Sequence, residues 1–321
     1  MKVISRTDKG YKQDPTHYLN FKRFSKQAGD FVLLEAGFGF SKDMRWGQYG
    51  FNKKQLNNIL KKKIVRLDFE EPNKFCVGDD PNEYDDDFIK VYTICPYTAE
   101  WLNIRQKNKK HTPIYFPFNE QYIPKKTSKE HDIIYTGHIL SKPILEDVKT
   151  ISKFNYKVVS NSEHPLVTDK GVEYKEKLNL IAKSKITLVH NLLYLKPSNV
   201  FYIWKFPDWQ ENKAFKYIPK WYEPWRLFNY PIAPQLKSRL FEAAFSKSLI
   251  LCKKDPFNII ERYFQADKEF VYFKEGELEQ KIKEILENYK MYEKIIDSAF
   301  ERAVKNYTTK QFFLKYLKGL V

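Results

Sequence analysis

A chain of 321 residues is long enough for two domains of ordinary size, each with its own core. Hydrophobic residues at 42% and aromatic residues at 17% exclude a disordered chain. The 56 Lys and Arg against 40 Asp and Glu leave a net charge of +16, which raises a polyanion as partner. The lysines are scattered, however, and no Arg-rich cluster or nucleic-acid reading motif accompanies them, so nucleic acid is disfavoured. Part of the charge is free to serve a phosphate-rich ligand or an anionic membrane surface.

No run of eighteen apolar residues is present, and the opening MKVISRTDKGYKQD lacks a signal-peptide core, so a cytoplasmic protein is expected. Three cysteines, Cys76, Cys95 and Cys252, show no C-x-x-C spacing and suit buried thiols in a reducing compartment.

Residues 1–125 alternate strand and helix patterns. Strands are predicted at 2–5, 30–36 (DFVLLEA), 64–69, 88–95 and 112–118. Helices are predicted at 54–62 and from 97, the latter with Thr98 as its cap. Such alternation implies a parallel sheet, whose ligands lie at the carboxyl ends of the strands. That rule singles out Glu35, Asp43, Glu70 and Glu71 as acidic groups at or past strand ends. Glu35 and Asp43 are the candidate catalytic bases, with ordinary surface carboxylates as the alternative. Asp79, Asp80 and Asp85 to Asp87 read as one solvated loop, since neither cluster follows an apolar strand directly, and no metal is expected.

Residues 119–131 are polar, contain Pro124 and read as a linker, so a second domain is placed at 126–305. It opens with a strand at 132–136 that runs into Gly137 and His138, either a tight turn or a ligand loop. A strand at 156–160, a helix at 178–184 and a buried strand at 185–191, ending in His190 and Asn191, follow. The insertion 192–233 holds Trp204, Trp209, Trp221 and Trp225, four of the six tryptophans. It reads as a lid, a sugar-stacking acceptor platform, an interface, or a segment packing its own satellite core.

Residues 234–273 organise the rest. On a helical period Gln235, Arg239, Glu242 and Ser246 share one polar stripe of an otherwise apolar helix. A buried strand at 248–252, a helix at 259–264 and a strand at 269–273 come next, and the chain is then helical to its end with a break at 306–309. A carboxylate and a guanidinium three residues apart on a buried helix are either an ion pair or a binding pair.

The run Arg239-Leu240-Phe241-Glu242-Ala243 before a strand, with the acidic helix 277–288 after the next strand, resembles the CgeB-type (spore-protein-like) branch of the two-domain glycosyltransferases. The resemblance covers about the last half of the chain. It implies an α/β fold of two Rossmann-like domains facing across a cleft (GT-B type), with residues 306–321 crossing back to the first. It implies a nucleotide-diphosphate sugar as donor, used without a metal or other cofactor. Glu242 would bind the ribose hydroxyls and Lys237, Ser238 and Arg239 the diphosphate, while Gly137, His138 and Asn191 line the loop ends nearby. The acceptor would be a glycan, lipid-linked or protein-linked, with peripheral membrane contact open. Two positions depart from the pattern. The wider clan carries two glutamates eight residues apart, but Pro234 stands at the first, and Lys247 replaces the glycine that closes the helix. An inactive sugar-nucleotide or glycan binder and a basic nucleic-acid-binding protein are the rival readings.

Overall fold

The computed structural model describes residues 1–4, 21–36, 53–78 and 88–320. The first sheet holds β1 (Lys2–Ile4), β2 (Val32–Ala36), β3 (Ile64–Asp68), β4 (Lys90–Thr93) and β5 (His111–Pro113). Its order is β1-β2-β3-β4-β5, and every pairing is parallel. A parallel sheet must be covered on both faces, and β3 is accordingly buried at all of its residues. Helices α1 (Lys53–Leu60) and α2 (Pro96–Arg105) lie on the connections. Helix α2 starts earlier than expected. Cys95 is its N-cap and Pro96, with φ preset and no N–H to leave unpaired, takes the first turn. Thr98 is therefore not the cap; its hydroxyl accepts a 3.0 Å hydrogen bond from Asn212 Nδ2.

Five further strands build the second sheet: β6 (His131–Thr136), β7 (Tyr156–Val159), β8 (Ser184–Val189), β11 (Leu249–Lys253) and β12 (Val271–Phe273). Their order is β12-β11-β8-β6-β7, again wholly parallel. Helices α3 (Lys142–Ile151), α4 (Tyr174–Ala182), α6 (Ser238–Phe245), α7 (Leu278–Glu287) and α8 (Tyr289–Asn306) connect or cover these strands. The helix expected over the stripe from Gln235 to Ser246 is shorter, because Pro234 ends a strand and Gln235 donates its N–H to the Asn191 carbonyl. The helix expected at 259–264 is a single 3-10 turn, Ile259–Arg262, entered through Asn258 at φ +48°. Lys247, at φ +51°, occupies the left-handed position after α6 that a glycine would take at less strain. Its Nζ is tied to Asp297 at 2.7 Å.

The insertion leaves the second sheet on a two-stranded stalk, β9 (Leu192–Tyr194) paired antiparallel with β10 (Ile232–Pro234). Between them run α5 (Pro197–Lys205) and short 3-10 turns. It does not pack a core of its own. Val200, Ile203, Trp209 and Phe215 join Phe75 and Trp101 of the first half in one apolar cluster. The Phe75 ring lies edge-on to Trp209 at 4.8 Å and to Phe215 at 5.6 Å. The chain's end also reaches the first half, through α9 (Thr309–Phe312) and the turn after it. Phe313 stacks on Phe24 at 4.6 Å, and Tyr92 Oη donates to the Tyr316 carbonyl.

Candidate functional site

Strand order locates the site. In the second sheet β6 pairs with β7 on one side and β8 on the other, so the chain reverses its direction of travel across the sheet at β6. Open parallel sheets bind ligands at such a switch point, outside the carboxyl ends of the strands. The loop after β6 begins there with Gly137 and His138, and His190 follows β8. The amino-terminal end of α6 points the Lys237-Ser238-Arg239 segment at the same place.

Gly137 adopts φ +137°, a conformation closed to most L residues, and the Arg239 side chain lies against it. A Cβ at position 137 would come within 2.1 Å of Arg239 Nη2. The guanidinium also sits over the Tyr135 ring, 5.0 Å from its centroid. One turn further along α6, Glu242 is 2% exposed and its Oε1 accepts a 2.9 Å hydrogen bond from Lys177 Nζ of α4. A cavity of about 260 Å³ collects Gly137, His138, Lys177, Ser238, Arg239 and Glu242. The arrangement presents a carboxylate paired with Lys177 at one end and Arg239, seated against Gly137, at the other. It is built to accept hydroxyl protons and to neutralise an anion a few ångströms away.

A second cavity of about 140 Å³ shares His138 and Arg239 with the first and reaches Lys237 and His190. Lys237 keeps some surface exposure, yet burial and the neighbouring Arg239 push its ammonium down to about 7, against the pull of Glu70. Glu70 belongs to the first half, so the two halves face each other at this point. His190, 2% exposed, is held neutral by burial and by the surrounding Lys253, Arg239 and Lys237.

The remaining sequence candidates fall elsewhere. Asn191 is fully buried and lines neither cavity; its Nδ2 contacts Cys252 Sγ at 3.6 Å. Glu35 lies at the carboxyl end of β2, opposite Leu67, and is buried. Asp43, the loop at 37–40 and the acidic residues 79–80 and 85–87 lie outside the described residues. Glu71 is enclosed with Arg66, Asp68 and Lys74, and Lys74 Nζ reaches Asp68 Oδ2 at 2.6 Å. Burial and the nearby Asp68 push Glu71 up to about 8, while Lys74 and Arg66, acting against burial, hold Asp68 down to about 2. Enclosure removes Glu71 from contact with any acceptor. Sequence reasoning missed Lys177, which sits in the ordinary amphipathic run YKEKLNLIA with nothing to single it out. Among the described residues no group of three His, Cys, Asp or Glu is placed to hold a metal ion.

The fold is that of the two-domain, Rossmann-like GT-B glycosyltransferases. A model of the glycosyl transferase-like family matches residues 141–318, more than half of the chain, and the chain belongs to that family. Among solved structures, Anabaena HepE in complex with UDP-glucose superposes with a TM-score of 0.56 at 11% identity, over 98% of both chains. A point mutant of S. aureus TarM, in complex with fondaparinux, alpha-GlcNAc-glycerol and UDP, superposes with a TM-score of 0.53 at 10% identity. That match covers 92% of this chain and 56% of the other. The chain spans a little over half the length of the TarM and pneumococcal GtfA structures it resembles. No curated protein matches it in sequence.

Proposed function

We propose that the protein transfers a sugar from a nucleoside-diphosphate donor to an acceptor hydroxyl of a glycan or glycoconjugate. The observation that carries this reading is the pairing of Arg239 and Glu242 on α6 with the Gly137 loop at the switch point of the second sheet. Glu242 accepts the ribose hydroxyl protons. Arg239, given its place by Gly137, and Lys237 hold the diphosphate, whose negative charge grows as it leaves. Residues 126–305 form the donor half and residues 1–125 the acceptor half, with Glu35 or Asp43 as base. Sequence likeness to the CgeB-type branch and the UDP-bound structures with the same fold support the reading. It calls for no metal, since cations and backbone suffice for the diphosphate.

The test is the melting temperature of the full chain with UDP, GDP, dTDP and CMP, against random oligonucleotides at several salt concentrations. A rise with one nucleotide is expected; a salt-sensitive rise with oligonucleotides alone would favour the nucleic-acid reading. Product formation from the bound donor then separates an enzyme from an inactive binder.

The same titration run against pH carries a second expectation. Lys237 ionises near 7 in the folded protein instead of its ordinary value near 10.5. The unfolded chain therefore binds more protons between these values, and stability contributed by this group falls as pH drops from about 10.5 to 7. A bound diphosphate restores the charge, so binding takes up a proton above pH 7. Affinity should be highest below pH 7 and fall by up to about tenfold per unit as pH rises beyond it. Lys237→Met should flatten that slope, and a flat profile in the unaltered protein would remove Lys237 from the donor site.

For the acceptor side, the insertion divides its tryptophans. Trp209 is 2% exposed, whereas Trp221 and Trp225 are 69% and 64% exposed. Trp209→Ala should destabilise the fold by about 3–5 kcal/mol. Trp221→Ala and Trp225→Ala should leave the melting temperature unchanged and raise the acceptor KM. An unchanged KM in both would place the acceptor wholly in the first half.

A further inference from the structure

The smaller cavity lies beyond the cations when approached from Glu242. In a sugar nucleotide the order along the molecule is ribose, diphosphate, sugar. If Glu242 marks the ribose and Arg239 the diphosphate, the next space belongs to the sugar, and this cavity shares Arg239 and His138 with the first. Its volume of about 140 Å³ is close to that of an engineered cavity, about 150 Å³, that takes benzene, so it admits one edge of a sugar and leaves the rest outside.

Its lining is unusual for a carbohydrate site. Leu140, Ile144, Leu192 and Leu193 contribute to it, with Tyr135 and Tyr194, and no carboxylate does. A hydroxyl buried against such a surface without a partner is penalised, while a methyl or acetyl group there gains. Ser141, Lys237 and Arg239 line it too, and His190 is its buried polar group without a hydrogen-bond partner among the described residues. His190 places Nε2 at 3.3 Å from Asp147 Oδ2 without making a hydrogen bond to it, and neither ring nitrogen has a hydrogen-bond partner among the described residues. In a neutral imidazole one ring nitrogen donates and the other accepts, so His190 can offer a sugar hydroxyl one hydrogen bond in either tautomer.

We infer that this cavity takes one edge of the donor's sugar and selects a sugar with an apolar substituent, a deoxy or N-acetyl sugar, a ring nitrogen of His190 being the hydrogen-bond partner of one hydroxyl. The inference rests on the nucleotide-sugar reading of the larger cavity. It adds the class of sugar, and it makes His190 and the leucines specificity-determining residues.

The experiment measures the affinity of the full chain for nucleoside diphosphates and for matched donors. These are UDP-glucose against UDP-N-acetylglucosamine, dTDP-glucose against dTDP-6-deoxy-D-glucose, and GDP-mannose against GDP-6-deoxy-D-mannose. On the nucleotide that binds, the deoxy or N-acetyl partner should bind tighter, by about fourfold for each methyl-sized group buried. Leu140→Ser, at a side chain 70% exposed and so harmless to folding, should reduce that preference and leave nucleoside diphosphate affinity unchanged. His190→Phe should weaken the sugar nucleotide by roughly fivefold, again without effect on the nucleoside diphosphate. Equal or tighter binding of the fully hydroxylated sugar, or a preference untouched by Leu140→Ser, overturns the inference while the nucleotide reading stands. No binding of any nucleoside diphosphate overturns both.

Discussion

Glu242→Ala should weaken nucleotide binding by roughly tenfold to a hundredfold while the protein still folds. A charge-assisted hydrogen bond contributes about 1.5–3 kcal/mol, which sets that range. The position argues for the larger end. Glu242 is almost fully buried at the floor of the cavity, so little water can substitute for the lost oxygen. Its second effect is on Lys177, which now donates to Oε1 at 2.9 Å and would be left facing the ligand without its counter-charge. An unbalanced cation near a diphosphate attracts it, and so the loss should be greater for the nucleoside than for the nucleoside diphosphate. Glu242→Gln should recover part of the affinity, because its amide oxygen accepts one hydrogen bond but carries no charge. Calorimetry on the three proteins with nucleoside and nucleoside diphosphate checks the expectation. Unchanged nucleoside affinity in folded Glu242→Ala would reduce the Lys177 contact to an internal ion pair and end the ribose assignment.

Much of the frame was legible because parallel strands advertise themselves. The runs DIIYT, KITLVHN and SLILC are short, apolar and bounded by polar residues, and each is a central strand of the second sheet. Glu242 and Arg239 were legible for the opposite reason, as polar residues on a helix otherwise apolar. What stayed hidden depends on contacts between distant segments. Lys177 meets Glu242 across 65 positions of sequence, and nothing local in α4 announces it. The insertion's tryptophans look alike in sequence. Trp209 is buried because Phe75 and Trp101 of the first half close over it, while no such cover reaches Trp221 among the described residues. Asn191 shows the converse case. Its place after an apolar strand marks a loop end, yet its backbone carbonyl holds Gln235 and its side chain is turned to Cys252. Glu71 misled in the same way, since a carboxylate just past a strand end can be enclosed by its own neighbours.

Gly137→Ala should be as damaging to diphosphate binding as removal of the Arg239 side chain. Two costs act together. A backbone at φ +137° is strained for any residue with a Cβ, on the order of 1–3 kcal/mol. The added methyl would also stand 2.1 Å from Arg239 Nη2 and 2.7 Å from Cζ, so the guanidinium must leave its place over Tyr135. Because a flexible side chain gives way before a strand does, the fold should survive and the binding geometry should not. Affinity for the nucleoside diphosphate should fall on the order of tenfold to a hundredfold, with the free nucleoside little affected. That selectivity separates this variant from Glu242→Ala, whose loss is greater for the nucleoside. The decisive comparison is the double variant. If Gly137 acts by holding Arg239 in place, Gly137→Ala combined with Arg239→Ala should cost scarcely more than either alone. Additive losses would mean that the two residues touch the ligand independently, with the Gly137 backbone itself meeting a phosphate oxygen.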